Sequence, residues 1–276
     1  DRQYARLDRR LCDRRLGRPP PARPLSGDLD CDVAIIGGGY TGLSAARALA
    51  RRGADATVLE QHTIGWGASG RNGGQVLQGF KPEMEALTRR IGPDRAGRMF
   101  QLSLEAIRYV SSLIDEEAIA CDFVRCGSIT LAVKPSHMHG LEQGALFMRE
   151  HMRHDTEILS KEDLGREIDS TLYYGGQLDP SGCSLQPAKY VRGLAQAAER
   201  AGARLLEGVK VRKIRRVQVG FEVTTSRGTV LAREVLAATN GYTPAALPAL
   251  RRRVLPIGSN QIATVPLDEE LARRLV

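Results

Sequence analysis

Apolar positions fall along the chain with two alternating periods. Asp32-Val33-Ala34-Ile35-Ile36 is a short, β-branched apolar run closed by Gly37-Gly38-Gly39, the pattern of a strand buried on both faces. From Thr41 to Arg52 the spacing turns helical, with Leu43, Ala46 and Ala50 on one face and Gly53 as the stop. Ala56-Thr57-Val58-Leu59-Glu60 is again strand-like, so a βαβ unit is predicted over residues 31–60. A glycine-rich loop over residues 65–74 follows, then helix from Pro82 to Ala120 with a break near Gly92-Pro93. β-like runs are predicted over 123–133, helix over 136–170, and a strand over 173–179 before a Pro180-Ser181-Gly182 turn. A helix over 190–200, ended by Gly202, leads into strands at 204–207, 209–217, 221–225 and 230–238. The first 30 residues are polar and broken by Pro19-Pro20-Pro21 and Pro24, which predicts an extended arm. Residues 268–276 predict a helix with no stop signal.

Composition narrows the class. With 42% hydrophobic and 26% charged residues over 276 positions, the chain is an ordinary globular one that can bury a sizeable core. No apolar run approaches the ~18 residues of a membrane span. The net charge of +8 invites a nucleic-acid reading, but the arginines are scattered and aromatics are only 5%, so no basic stripe interleaved with rings is present. Cys12, Cys31, Cys121, Cys126 and Cys183 are odd in number and sparse, which argues against a disulfide framework and for a reducing, cytoplasmic setting. Cys121 and Cys126 lie in a β-like run where an offset of five puts the thiols on opposite faces, so they read as ordinary thiols. His137 and His139 read as a polar turn. His151 and His154 lie three apart on a predicted helix, and no third ligand is evident, so no metal site is expected. His62 is a candidate base by residue type only, and no catalytic residue stands out.

The chemistry starts at Gly37-Gly38-Gly39-Tyr40-Thr41-Gly42, a G-x-G-x-x-G between a predicted strand and a predicted helix. Gly37 permits the turn out of the strand, Gly39 lets a pyrophosphate approach the backbone, and Gly42 lets the helix pack closely on the sheet. The helix start, including Tyr40 and Thr41, offers free N–H groups to phosphate oxygens. Glu60, 18 residues beyond Gly42, can accept hydrogen bonds from ribose hydroxyls and would repel a 2′-phosphate. The βαβ unit alone leaves NAD and FAD open. The second glycine-rich loop, Gly65-Trp66-Gly67-Ala68-Ser69-Gly70-Arg71-Asn72-Gly73-Gly74-Gln75, points to FAD: a long flavin dinucleotide must be followed past its diphosphate, and hydroxyl, guanidinium and amide donors suit that path.

These stretches resemble the D-amino-acid oxidase–like FAD-dependent oxidoreductases, most closely the γ-glutamylputrescine oxidoreductase branch. Tyr173-Tyr174-Gly175-Gly176, Asp179-Pro180-Ser181-Gly182, the run from Val235 to Thr243, Val254 to Ser259 and Ile262-Ala263-Thr264 are also similar to that branch. The resemblance implies an α/β fold: a Rossmann-like FAD-binding domain (29–80 and 184–247) interleaved with an α+β substrate domain (81–183 and 248–276) that reads as C-terminally incomplete, after an arm over 1–28. It implies that Gly37, Gly39 and Gly42 hold the diphosphate and Glu60 the adenosine ribose. Gly67, Ser69, Arg71, Asn72, Gly73 and Gly74 would line the path towards the isoalloxazine, Val211 would contact adenine by its backbone, and Thr239 and Asn240 would lie near the ADP half. Cys183-Ser184-Leu185-Gln186 stands where the branch often has a histidine near position 184. The implied activity is oxidation of a CH–NH bond of an amine or amino acid, with FAD as cofactor and oxygen or another carrier as final acceptor. An NAD-dependent dehydrogenase and a non-catalytic ADP-binding fragment are the competing readings.

Overall fold

In the computed structural model, Leu29–Ile36 forms β1, and its apolar run is covered on both edges by parallel neighbours. The described residues are Leu25, 27–260, Val265 and 267–275. Most of the expected arm, the stretch Ile262-Ala263-Thr264 and Val276 lie outside them. As far as they are described, Asp1–Gly73, Glu117–Cys121 and Gln186–Asn260 make one compact unit, and Gly74–Glu116, Asp122–Leu185 and Gln261–Val276 another. Residues 248–260, expected with the second domain, thus group with the first. The helical turn α7 (Pro248–Arg251) follows Ala246 and Leu247, which pack against the first unit's core.

The first unit is built on a six-stranded sheet. It contains β1, α1 (Tyr40–Ala50), β2 (Ala56–Leu59), α6 (Pro187–Arg200), β8 (Arg204–Leu206), β9 (Val211–Arg216), β10 (Phe221–Thr225) and β11 (Thr229–Ala237). The order is β8-β2-β1-β11-β10-β9; the first four strands are parallel and the last two antiparallel. Ile36 lies beside both Leu59 and Ala237, so the parallel strands end level with one another. That level edge fixes where ligands of such sheets bind, outside the carboxyl ends. Ala34, Ile35, Val58 and Val230 are fully buried in the sheet, and Leu43 of α1 and Leu194 of α6 are buried with them. Each of the larger aliphatics among them, the isoleucine, leucines and valines, contributes on the order of 2 kcal/mol. Gln186 caps α6 by accepting from Lys189 N at 2.8 Å, with Pro187 in the first turn. Leu25, expected in a coreless arm, instead belongs to this core, because Asp28 accepts from Thr229 N at 3.0 Å and ties the segment to β11.

The second unit holds β3 (Gln75–Val76), α2 (Met84–Ile91), α3 (Pro93–Glu116), β4 (Ser128–Leu131), α4 (Pro135–Phe147), β5 (Glu157–Leu159), α5 (Lys161–Leu164), β6 (Gly176–Asp179), β7 (Cys183–Ser184) and α8 (Glu269–Leu275). Its sheets are a β4-β6-β5 triplet and a β3-β7 ribbon. The predicted break between α2 and α3 is at Gly92, whose φ is +85°. Three expectations are corrected. Residues 136–170 are not one helix: Arg153, at φ +54°, ends the helical run, and Glu157-Ile158-Leu159 pairs with β6, so tertiary pairing overrides local pattern. His137 and His139 lie on α4, which Pro135 starts, not on a turn. Cys121 and Cys126 share no strand, because Asp122 takes φ +52° between them; Cys121 is buried and Cys126 exposed. His154 leaves the helix to meet Asp179 Oδ2 at 2.7 Å with its ring edge-on to Phe100. Hydrogen bonds from His154 and Ser181 outweigh the upward push of burial and hold the Asp179 carboxyl below its ordinary range.

Glu117 closes the first unit through an ion triad. Its Oε1 meets the buried Arg47 of α1 at 2.6 Å, and its Oε2 meets Arg200 of α6 at 2.7 Å. Burial pushes its carboxyl up, but the hydrogen bonds from Arg200 and Arg47 prevail and hold it below its usual value. Glu117→Gln is expected to cost roughly 3 kcal/mol, because it removes the carboxylate from between two guanidiniums in a poorly solvated place. A depressed carboxyl stabilises above its unfolded-state value of ~4.3 and ceases to as pH falls through the lower folded value. Urea melts should therefore show a gap between wild type and variant at neutral pH that narrows as the medium is acidified below the unfolded-state value; coincident midpoints at neutral pH would contradict the triad's role.

Candidate functional site

The loops leaving β1, β2 and β11 meet at the carboxyl ends of the parallel strands. Gly37 follows β1 with φ +110°, and a Cβ there would lie 2.6 Å from the carbonyl oxygen of Ala238, just past β11. A Cβ on Gly42 would lie 2.0 Å from the Gly37 carbonyl oxygen, so α1 starts in contact with the end of β1. Gly38, whose role the motif left open, is less tightly constrained: its Cβ would sit 2.5 Å from Ile64 Cδ1, the end of a side chain that can move. The space beside Gly39 is taken by protein, since a Cβ there would be 2.7 Å from Ser69 Oγ. That hydroxyl accepts from Tyr40 N at 3.0 Å, so Ser69 is the side chain that engages the start of α1. The expectation for Gly39 is backbone access for phosphate; what its missing side chain makes room for in the structure is Ser69 of the second glycine loop.

The rest of the first turn of α1 keeps its N–H groups without intrahelical partners, as every helix does. Gly39, the N-cap, supplies no side-chain cap, and the first turn has no acidic residue. An anion is therefore favoured there over a cation. Glu60 faces the same corner. Its Oε2 accepts from Gly38 N and its Oε1 from His62 N, each at 2.8 Å. A carboxylate has about four acceptor positions, so two hydroxyl donors can still be served. Behind it, Glu207 accepts from Ile64 N at 2.6 Å; burial first, then the nearby Glu60, pushes its carboxyl above the ordinary value.

The glycine-rich loop makes a 3-10 turn over Ala68–Gly70 and is closed by Asn72, whose Nδ2 donates to Ala68 O at 3.0 Å and Ser69 O at 3.1 Å. Asn72 also reaches the Tyr40 hydroxyl at 3.4 Å; burial raises the Tyr40 phenol above its usual value. Thr239 and Asn240 follow β11. The Thr239 hydroxyl bonds that of Thr243 at 2.9 Å, and Asn240 takes φ +45°, a left-handed conformation that asparagine tolerates. Val211 starts β9 and lines a cleft of about 900 Å³ with Gln61, Lys210, Arg212, Tyr242 and Arg251, an ample volume for a purine nucleotide. Of the sequence-predicted residues, Gly37, Gly39, Tyr40, Thr41, Gly42, Glu60, Gly67, Ser69, Arg71, Asn72, Gly73, Val211, Thr239 and Asn240 fall in the first unit. Gly74 opens the second, at φ +77°, with its carbonyl accepting from Leu185 N at 2.9 Å.

Sequence reasoning gave no role to Trp66, Tyr242 or the cations of the cleft. The only tryptophan of the chain, set among glycines, was the available signal for the first. A phosphate-accepting helix start, a carboxylate with spare lone pairs and a cation-bordered cleft fit the adenosine diphosphate half of FAD. Gly39→Ala is expected to cost about 1–2 kcal/mol by displacing the Ser69 hydroxyl. In the Ser69→Ala background the obstructing oxygen is gone, so the same change should cost less than half as much in a urea double-mutant cycle; additive losses would contradict the contact.

Comparison with known proteins follows the same line. The family model described as FAD dependent oxidoreductase (DAO) matches residues 32–276. The chain is 34% identical over 257 residues to the γ-glutamylputrescine oxidoreductase of Escherichia coli (strain K12), covering 93% of this chain and 60% of that protein. It is 36% identical over 259 residues to the probable oxidoreductase OrdL of Rhizobium meliloti (strain 1021), covering 90% of this chain and 59% of that one. Among solved structures, glycine oxidase from Geobacillus kaustophilus superposes with a TM-score of 0.68 at 26% identity, covering 80% of this chain and 58% of that one. The chain thus spans about 60% of the length of the curated relatives it matches.

Proposed function

The chain belongs to the FAD dependent oxidoreductase (DAO) family, and from that premise we propose that it oxidises a CH–NH bond of an amine or amino acid. The substrate class is of the γ-glutamylputrescine, sarcosine or glycine, or D-amino-acid kind. When bound, FAD would supply a two-electron acceptor for hydride from the carbon next to the amine; the imine would hydrolyse in water, and the electrons would go on to oxygen or another carrier. In this reading Gly39, Thr41 and Gly42 present backbone N–H groups to the diphosphate, while Gly37 shapes the turn with its own N–H bonded to Leu59 O at 3.0 Å and Tyr40 is held at the helix start by its N–H bond to Ser69 Oγ at 3.0 Å. Glu60 accepts from the adenosine ribose, and Val211 offers its backbone to adenine. Gly67, Ser69, Arg71, Asn72, Gly73 and Gly74 border the path towards the flavin, and Thr239 and Asn240 flank the ADP half.

One observation carries the proposal. The glycine corner, Glu60 and the Ser69–Tyr40 contact converge at the level edge of parallel strands, joined by hydrogen bonds of 2.8 Å and 3.0 Å. A NAD-dependent dehydrogenase would use the same corner but has no need of the second loop, whose Ser69 and Asn72 close on α1. Glu60 also speaks against a cofactor with a 2′-phosphate, since its carboxylate would face that charge.

Purified chain titrated with FAD should retain flavin absorbing near ~450 nm, and Glu60→Gln should weaken that binding about tenfold, or ~1.4 kcal/mol. A γ-glutamylated diamine, sarcosine, glycine or a D-amino acid should then bleach the anaerobic flavin band. Retention of NAD in place of flavin would overturn the proposal.

A further inference from the structure

The glycine-rich loop carries an aromatic cluster that no cofactor role yet explains. The His62 ring stacks on Trp66 at 4.0 Å between centroids, tilted by 30°. The Arg71 guanidinium carbon lies 4.5 Å from the Trp66 ring centroid. Tyr242, from the turn after β11, meets Trp66 edge-on at 5.7 Å. Its hydroxyl accepts from an Arg71 terminal nitrogen at 3.5 Å, while Arg71 Nε donates to Gly67 O at 3.4 Å. The Tyr242 ring is seated over Gly67, where a Cβ would come within 3.0 Å of Cε2. Two loops at the same sheet edge are thus joined through one guanidinium.

We propose that Trp66 and Tyr242 form a clamp that holds Arg71 in place before any ligand arrives, so that its guanidinium meets the FAD diphosphate already oriented. This rests on the FAD reading above. The gain comes from pre-organisation. A free arginine side chain must give up its rotamer freedom when it pairs with a phosphate, and one already stacked on an indole face has given up most of it. The ring offers a cation a favourable face and fixes its orientation without itself carrying an opposite charge. Arg71, Trp66 and Tyr242 are all exposed, Trp66 at 38% and Tyr242 at 56%, so a ligand can reach the clamp. Trp66 and Tyr242 are positioning residues here, and Arg71 is the contact residue.

The test is a double-mutant cycle on FAD affinity, read by flavin fluorescence, with Trp66 emission of the ligand-free protein as a second readout. Arg71→Met should weaken FAD about 30-fold and Trp66→Leu about tenfold, Trp66→Phe should recover most of that loss, and Trp66→Leu should add little in the Arg71→Met background. Arg71→Met should also change the emission of Trp66 with no cofactor present. Tyr242→Leu, which leaves the loop after β2 untouched, serves as the second route should Trp66→Leu unfold: it should weaken FAD severalfold, and not in the Arg71→Met background. Additive losses, or unchanged emission in Arg71→Met, would overturn the clamp while leaving the FAD reading intact. Failure of the wild-type chain to bind FAD at all would instead overturn the reading on which it rests.

Discussion

Where β1 ends, three backbones pass so closely that side chains are excluded. A Cβ on Gly42 would lie 2.0 Å from the Gly37 carbonyl oxygen, and one on Gly37 would lie 2.6 Å from that of Ala238. Because backbone and not a flexible side chain is in the way, neither contact can relax cheaply. The contact sets α1 down on the end of β1, points its free N–H groups at the sheet edge, and draws the segment after β11 alongside. Everything else in the candidate site is arranged around that corner. Glu60 reaches Gly38 N from β2, Ser69 reaches Tyr40 N from the second glycine loop, and Tyr242 closes over Gly67 from the turn after β11.

The electrostatics follow from the same placement. A carboxylate stands beside a helix start that favours anions, yet it serves the backbone N–H groups of Gly38 and His62 and so keeps its place without an ion pair being required of it. The cleft that Val211 lines is also bordered by Lys210, Arg212 and Arg251. A ligand that offers phosphates to the helix start and hydroxyls to the carboxylate suits this corner, and a ribose diphosphate is such a ligand. The chain's surplus of positive charge is thereby partly a local matter of this cleft and of the exposed edge strand β9, where charged side chains also discourage pairing with other chains.

The βαβ unit was legible because its signals are local: a β-branched run, glycines at fixed offsets, and an acid at the end of the next strand. The strands of the first unit were legible for the same reason. What was not legible depended on partners distant in sequence. Glu157-Ile158-Leu159 became a strand only because β6 lies beside it, and Leu25 joined a core only because Asp28 holds Thr229. Ser69 was foreseen as a polar group on the cofactor path, but its bond to Tyr40 N spans 29 positions and no spacing rule announces it. Trp66 and Tyr242 are separated still further, and only the packing of their loops shows them to be neighbours.

The central claim is that the glycine corner and the loops tied to it receive the ADP half of FAD. Amide hydrogen exchange of the purified chain with and without saturating ADP tests it most directly, since ADP carries the diphosphate and adenosine but no flavin. The account predicts slowed exchange at residues 38–43, 60–72 and 239–243, with the remainder of the first unit's sheet little changed. Exchange unaltered at those three segments, with ADP or FAD demonstrably bound, would contradict it.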